Sequence, residues 1–593
     1  MTNDHEVRRD WRKELRAGAT LATIGAAAAA IDVAYAGRAG AHWSLPTFWI
    51  AQMLLFAAGL YGVIRHGGSE RFTVAVIVLV ALGTYLAKVS YSPIRFSFPD
   101  ELQHLRSLED LLAHRHLFYP NPSLSISPDF PGLEIVTDAV VTTTGLSPFV
   151  AGLVVAVFAH IMLSVAVYCL FRAMPLSVTI AGVATMIFAT EPHFEYFDAI
   201  FAYQTLALPL FCLSLLGAIK LHQSRARRSQ LQWAAVSAVG AAALLFTHHV
   251  TMLALLIVLA VLAVFAARAG SWLPAVLTLA YAAGTAVWFT TGAHGTLQYL
   301  GQPVYENLLA ALPGHVAAKT VGSPISTPTA DRVLAYAGVL CTLALLVIGW
   351  ARTLRNWSGV SVAARAFALA ALAYPVVLVV RLFAGDSSEL AGRALTFALI
   401  VVAATIAPSL THQSRWTRAV RRPLIIAVVT LMAAGGIATG WPPFWERIPG
   451  PFKIASFESG VDRQNVAVTS WAQTHLRANN RFASDFDIDA LMGSIGRQDA
   501  ELAAAEIFYS PRFTPSIWQQ ISSQEIRMFV IDRRMEFQRP ADGSYFAFTP
   551  PQLAGAGRLP PASVQKFADS PRLSRVYDGG DITVYVVVGS RVT

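Results

Sequence analysis

The chain has 593 residues, 55% of them hydrophobic and only 14% charged, with a formal net charge of +9 and a mean hydropathy of +0.50. Soluble domains average about 25% charged residues, so this deficit excludes a purely soluble chain and points to membrane spans. The basic residues lie in short clusters between apolar runs, without an aromatic-laced stripe, which excludes nucleic acid as the partner and fits cytoplasmic loops.

A span needs roughly 20 apolar residues. On that rule about thirteen are predicted, near 17–36, 44–64, 72–91, 148–171, 174–190, 199–220, 231–247, 250–267, 272–291, 332–351, 362–382, 391–410 and 423–441. The 1–16 segment carries Arg8, Arg9, Arg12, Lys13 and Arg16 and is placed in the cytoplasm. The basic start, the Ala-rich run and Ala34-Tyr35-Ala36 also match a cleaved signal peptide. In that case residue 37 still emerges outside. Counting onward, the cytoplasmic loops hold Arg65 and Arg71, Arg172, then Lys220, Arg225, Arg227 and Arg228. Arg268, Arg352 and Arg355 follow, and then Arg415, Arg418, Arg421 and Arg422. The opposite loops are poor in Lys and Arg: 292–331 has only Lys319. One topology satisfies every loop: a multi-pass plasma (inner) membrane protein, N-terminus inside, C-terminal tail outside. Cys169, Cys212 and Cys341 all fall in apolar runs, where they read as packing residues.

The fold class expected is therefore a polytopic α-helical membrane domain over 17–441, followed by a small extracytoplasmic α/β domain over 442–593. The tail shows a Pro-rich linker at 442–451, a helix near 464–478 and strands near 481–486 and 526–532. A closing hairpin is predicted over Arg575–Tyr585, with an Asp-Gly-Gly turn. Ser484-Asp485-Phe486-Asp487-Ile488-Asp489 is acidic but lacks EF-hand spacing. It reads as a strand end with a helix N-cap.

Two large loops face outside, 92–147 and 292–331. The first opens with Phe98-Pro99-Asp100-Glu101-Leu102-Gln103-His104. Pro99 suits the first turn of a helix, which would put Glu101 and His104 on one face. A carboxylate there can take a proton from a hydroxyl or ligate a hard cation; the plain alternative is dipole-complementing capping. Leu117-Phe118-Tyr119-Pro120-Asn121-Pro122 and Pro128-Asp129-Phe130-Pro131-Gly132-Leu133-Glu134 follow. With these residues the chain resembles the GT-C superfamily of membrane glycosyltransferases. That group includes the protein O-mannosyltransferases, aminoarabinose transferases and oligosaccharyltransferases. One departure stands out: the acidic loop follows the third predicted span, whereas in much of the superfamily it follows the first.

The resemblance implies sugar transfer, with inversion, from a polyprenyl-phosphate-linked donor to an extracytoplasmic acceptor (glycan, lipid or protein). It assigns Asp100 as base, with Glu101 and His104 orienting it or the acceptor. A second acidic motif is expected in the next outer loop, where Glu191, Glu195 and Asp198 would share a helical face. These acids would meet the acceptor or, with Asp100, a divalent ion such as Mg or Mn. Arg393, Arg381 and Lys88 are the candidates for the donor phosphate, with snorkelling as their structural alternative. Tyr203, Gln204, His248 and His249 are candidate substrate contacts. The rival classes are another membrane polysaccharide polymerase or ligase, which would favour Arg-rich outer loops, and a secondary transporter, which would place charges at the midplane. No P-loop, credible dinucleotide fingerprint or nucleophile elbow is present, which disfavours an ATP-driven pump.

Overall fold

The computed structural model describes residues 20 to 589, apart from 21, 33–35, 37–43, 67, 91, 94, 123, 300, 302–328, 384–387, 412–416, 441–451, 551 and 554. The expected 1–16 segment, the 442–451 linker and most of the second loop thus lie outside the described residues.

Ten described helices are long and apolar enough to cross a membrane: Thr47–His66, Glu70–Val89, Pro148–Ala173, Tyr203–Gln223, His249–Arg268, Leu273–Thr291, Thr329–Arg355, Val362–Val380, Gly392–Leu410 and Ala419–Thr439. The chain is a multi-pass membrane protein. Three of the thirteen predicted spans are not among the ten. Ala22–Asp32 is flanked on both sides by residues outside the described set, and Val178–Phe188 is the second short apolar helix. The latter, at 11 residues, reaches only about 16 Å of a hydrocarbon core about 30 Å thick. Arg227–Leu245 opens on two arginines and is the less apolar of the candidates. Small residues let the spans approach closely. A Cβ on Gly338 would lie 2.8 Å from Gly435 Cα, where helix Thr329–Arg355 crosses helix Arg418–Thr439.

The C-terminal domain is a five-stranded sheet, β1 (Arg481–Ala483), β2 (Asp499–Ala500), β3 (Met528–Asp532), β4 (Leu573–Asp578) and β5 (Ile582–Val587), in the order β2-β1-β3-β5-β4. β1 runs parallel to β2 and β3, while β5 is antiparallel to β3 and β4. The period of two decides the layers. Met528 and Val530 join a core with Ile488 and Met492, whereas Phe529 and Ile531 join one with Phe508 and Phe567. All five β3 residues are buried, as a central strand requires. The β4–β5 turn passes through Gly580 at φ +97°, which glycine adopts freely. The helix expected near 464–478 is Arg463–His475, capped by Asp462, which accepts from Gln464 and Asn465 amides at 2.9 and 3.0 Å.

A third apolar cluster joins the domain to the bundle. Leu102, Leu105 and Leu108 of helix Pro99–His114 pack with Leu133 and with Val461, Leu491 and Ile495 of the domain.

Candidate active site

Asp100 stands in the first turn of helix Pro99–His114, as the Pro-initiated pattern implies. Its carboxylate meets Arg393 of helix Ser388–Thr411, Nη2 to Oδ2 3.4 Å. Asp100 keeps 29% of its side-chain surface and Arg393 13%, so the pair lies at an accessible boundary. Arg393 also stacks over the Phe197 ring at 4.8 Å and lies beside Tyr203.

Glu101 and His104 do not act on one shared partner, as their common face had suggested. Glu101 is 1% exposed and forms a short ion pair with Lys88. It also accepts the Phe201 amide at 3.1 Å. Lys88 is thereby committed to Glu101, not held ready for a phosphate. His104 turns to Glu134, Nδ1 to Oε1 2.7 Å, and its ring meets Tyr203 edge-on at 4.4 Å. Tyr203 stacks on His248 at 4.3 Å. His249 packs beside it, between Phe130 and Tyr299, with centroids 5.2 and 6.0 Å away. His248 Nδ1 bonds Thr251 at 2.7 Å. Asp100, Arg393, Tyr203, His104, His248 and His249 therefore converge from four separate stretches of chain.

The second acidic motif is corrected in form. Residues 189–202 make turns and a one-turn 3-10 helix, Phe197–Ala199, instead of a helical face. Pro192 interrupts the helix. The acids are buried, not solvated. Glu195 accepts from Gln52 at 2.7 Å, Asp198 from Gln204 at 2.8 Å, and Glu191 from Thr396 at 3.1 Å. Burial, with Glu191 beside it, holds the Asp198 carboxyl well above the ordinary range. Gln204 thus serves the acidic cluster, while its neighbour Tyr203 lines the site. Thr396 lies one turn beyond Arg393, and so helix Ser388–Thr411 touches both acidic motifs. Arg381 lies on helix Ala373–Phe383, but its side chain is outside the described residues. Among the described residues, no three His, Cys, Asp or Glu side chains are grouped to hold a metal ion. The Asp100, Glu191 and Asp198 set does not fit one.

Glu134 is the main residue that sequence reasoning missed. It is 2% exposed, and it lies within the quoted Phe130–Glu134 string, which is its only sequence signal. Gly132 explains its placement. The Gly132 amide donates to Phe246 O at 2.8 Å, and a Cβ there would come within 2.9 Å of the same atom. Helix Gly132–Thr144 can therefore dock onto the end of helix Arg227–Leu245 and bring Glu134 to His104.

No family model and no curated protein sequence matches the chain. Among solved structures, the mycobacterial arabinofuranosyltransferase AftD superposes with a TM-score of 0.51 at 14% identity, over 88% of this chain and 40% of AftD. The fold is similar to that of this membrane enzyme. Two structures of ArnT from Cupriavidus metallidurans align at 12% identity. The form bound to undecaprenyl phosphate gives a TM-score of 0.49, over 87% of this chain and 98% of ArnT. The apo form gives 0.37, over 86% and 97%. In this chain the small five-stranded domain docks on the helix that carries Asp100.

Proposed function

We propose that this GT-C protein transfers a sugar from a polyprenyl-phosphate-linked donor to an acceptor hydroxyl on the extracytoplasmic side of the membrane. The observation that carries the reading is the juxtaposition of Asp100 and Arg393, 293 positions apart in sequence, at an accessible boundary beside Tyr203 and three histidines. An acid and a base-stable cation held side by side suit a reaction that needs both. Asp100 takes the acceptor's hydroxyl proton as that oxygen bonds to the anomeric carbon. The bond from that carbon to the phosphate oxygen breaks, and its electron pair leaves on the phosphate, whose charge Arg393 stabilises. Attack opposite the leaving group inverts the anomeric centre. Substrate entry parts the 3.4 Å pair, each member turning to its own ligand. Tyr203, His248 and the His104–Glu134 pair supply the wall against which the sugar or acceptor rests. No step is routed through a metal. Nucleotide sugars are cytoplasmic, so a site on the outer side calls for a lipid-linked donor. The acceptor is an extracytoplasmic glycan, lipid or protein.

The test is a transfer assay with a polyprenyl-phosphate sugar. Asp100→Asn should lower kcat by about a hundredfold or more, as loss of a general base does. Arg393→Ala should also raise KM for the donor. Wild-type turnover by Asp100→Asn would overturn the assignment.

A further inference from the structure

We propose that Arg106 is a positioning residue through which the C-terminal domain sets the orientation of the Asp100 helix; the proposal rests on the reading of Asp100 as the base. Arg106 lies six residues beyond Asp100 on helix Pro99–His114, about 9 Å along its axis. It is 4% exposed. Its Nη1 donates to Gly493 O and, at 2.9 Å, to Gln498 O, and its Nη2 donates to Asn479 Oδ1 at 2.7 Å. All three acceptors belong to the C-terminal domain. Gly493 lies in the last turn of helix Phe486–Ser494, where carbonyls lack intrahelical partners and the dipole is negative. A guanidinium is the complementary cap. One turn on, Asp110 accepts from Arg497 of the domain at 2.7 Å, with Arg106 Nε at 3.7 Å on its other oxygen.

The receiving surface is built at a conformational cost. Asn479 and Arg497 both adopt left-handed backbone, φ 65° and 56°, and the Asn479 amide donates to Arg497 O at 2.7 Å. Arginine rarely takes this conformation. Strained residues of this kind persist where their surroundings over-determine them; here the domain's own backbone bonds hold them, and Arg106 and Asp110 of the Asp100 helix engage their side chains.

The leucines of the shared cluster cannot do the same job. Apolar contact is not directional, so it holds the helix against the domain without fixing its rotation. A planar fork with three bonds does fix it. Rotation matters because Asp100 and Arg393 meet at 3.4 Å, the outer limit of a hydrogen bond. The helix is thus tied at four polar points: Glu101 to Lys88, His104 to Glu134, and Arg106 and Asp110 to the domain. The first two lie within the membrane domain. The last two let the soluble domain act on the base, and of these Arg106 is nearer Asp100 and makes the three-bond fork.

The experiment uses full-length protein in lipid nanodiscs, with two readouts. In transfer from a polyprenyl-phosphate sugar, Arg106→Ala should lower kcat by about tenfold to a hundredfold, with KM for the donor unchanged. Arg106→Lys should recover only part, since a point charge cannot make all three bonds. In hydrogen exchange, Arg106→Ala should speed exchange across 99–105 while 528–532 and 582–587 stay protected. Unchanged exchange at 99–105 with wild-type kcat overturns the proposal. So does loss of protection in both strands, which would make Arg106 a residue of the domain's own fold, and so does complete recovery by Arg106→Lys. A wild-type protein that transfers no sugar overturns the proposed function instead, and the exchange comparison still decides whether Arg106 holds the helix.

Discussion

Lys88 and Glu101 show how a residue's neighbours decide its role. Each is almost fully buried, at 6% and 1% exposure, and two charges removed from water must compensate each other. Lys88→Met leaves Glu101 buried and uncompensated, which should destabilise the protein by about 3–5 kcal/mol. Adding Glu101→Leu should restore most of that, since a well-packed apolar pair often replaces a buried ion pair without loss. Thermal melts of the two variants measure this. A double variant no more stable than the single one would show that the carboxylate's bond to the Phe201 amide matters more than the ion pair.

At the scale of elements, the short helix Ala505–Tyr509 depends on a side chain from elsewhere. Its last carbonyls have no partners within one turn. Lys566, on helix Pro561–Asp569, donates to Ile507 O and, at 3.2 and 2.5 Å, to Phe508 O and Ser510 O. Burial pushes its ammonium from the usual 10.5 down to about 7. The sign follows by linkage. Between the two values the unfolded chain holds a proton that the folded domain gives up, so stability rises with pH from about 7 toward about 10. Pulse proteolysis of the C-terminal domain in urea should therefore give a higher midpoint at pH 9 than at pH 7, and Lys566→Met should flatten the difference. A wild-type midpoint that falls over this range would contradict the assignment.

For the whole molecule, the fold gathers the site at one end of the bundle, under a domain that grips the helix bearing Asp100. The Lys and Arg pattern of the loops predicts that this end lies outside the cell. Impermeant maleimide can check this on single cysteines introduced at two exposed positions, in a background lacking Cys169, Cys212 and Cys341. Thr143→Cys should label on intact cells, and Ala226→Cys only after permeabilisation. The reverse pattern would invert the topology and remove the case for a lipid-linked donor.

Much of this plan is legible in the sequence. Apolar runs of span length identify most of the membrane helices, because the bilayer imposes a length on any helix that crosses it. Loop charge predicts their orientation, Pro99 announces the helix that presents Asp100, and the period of two with an Asp-Gly-Gly turn marks the closing hairpin. Those properties are local, and a chain carries them before it folds. The structure alone decided what depends on distant partners. Glu191, Glu195 and Asp198 looked like one helical face turned to the acceptor or a divalent ion, but Pro192 and three separate donors, Gln52, Gln204 and Thr396, fold them inward. Lys88 looked free for a phosphate until Glu101 claimed it. Glu134 shows only its place in the Phe130–Glu134 string and Arg106 shows no local signal, because His104, Asn479 and Gly493 define their roles across 30 to 387 residues of chain. Periodicity records which face a residue lies on; only packing chooses which charge it meets there.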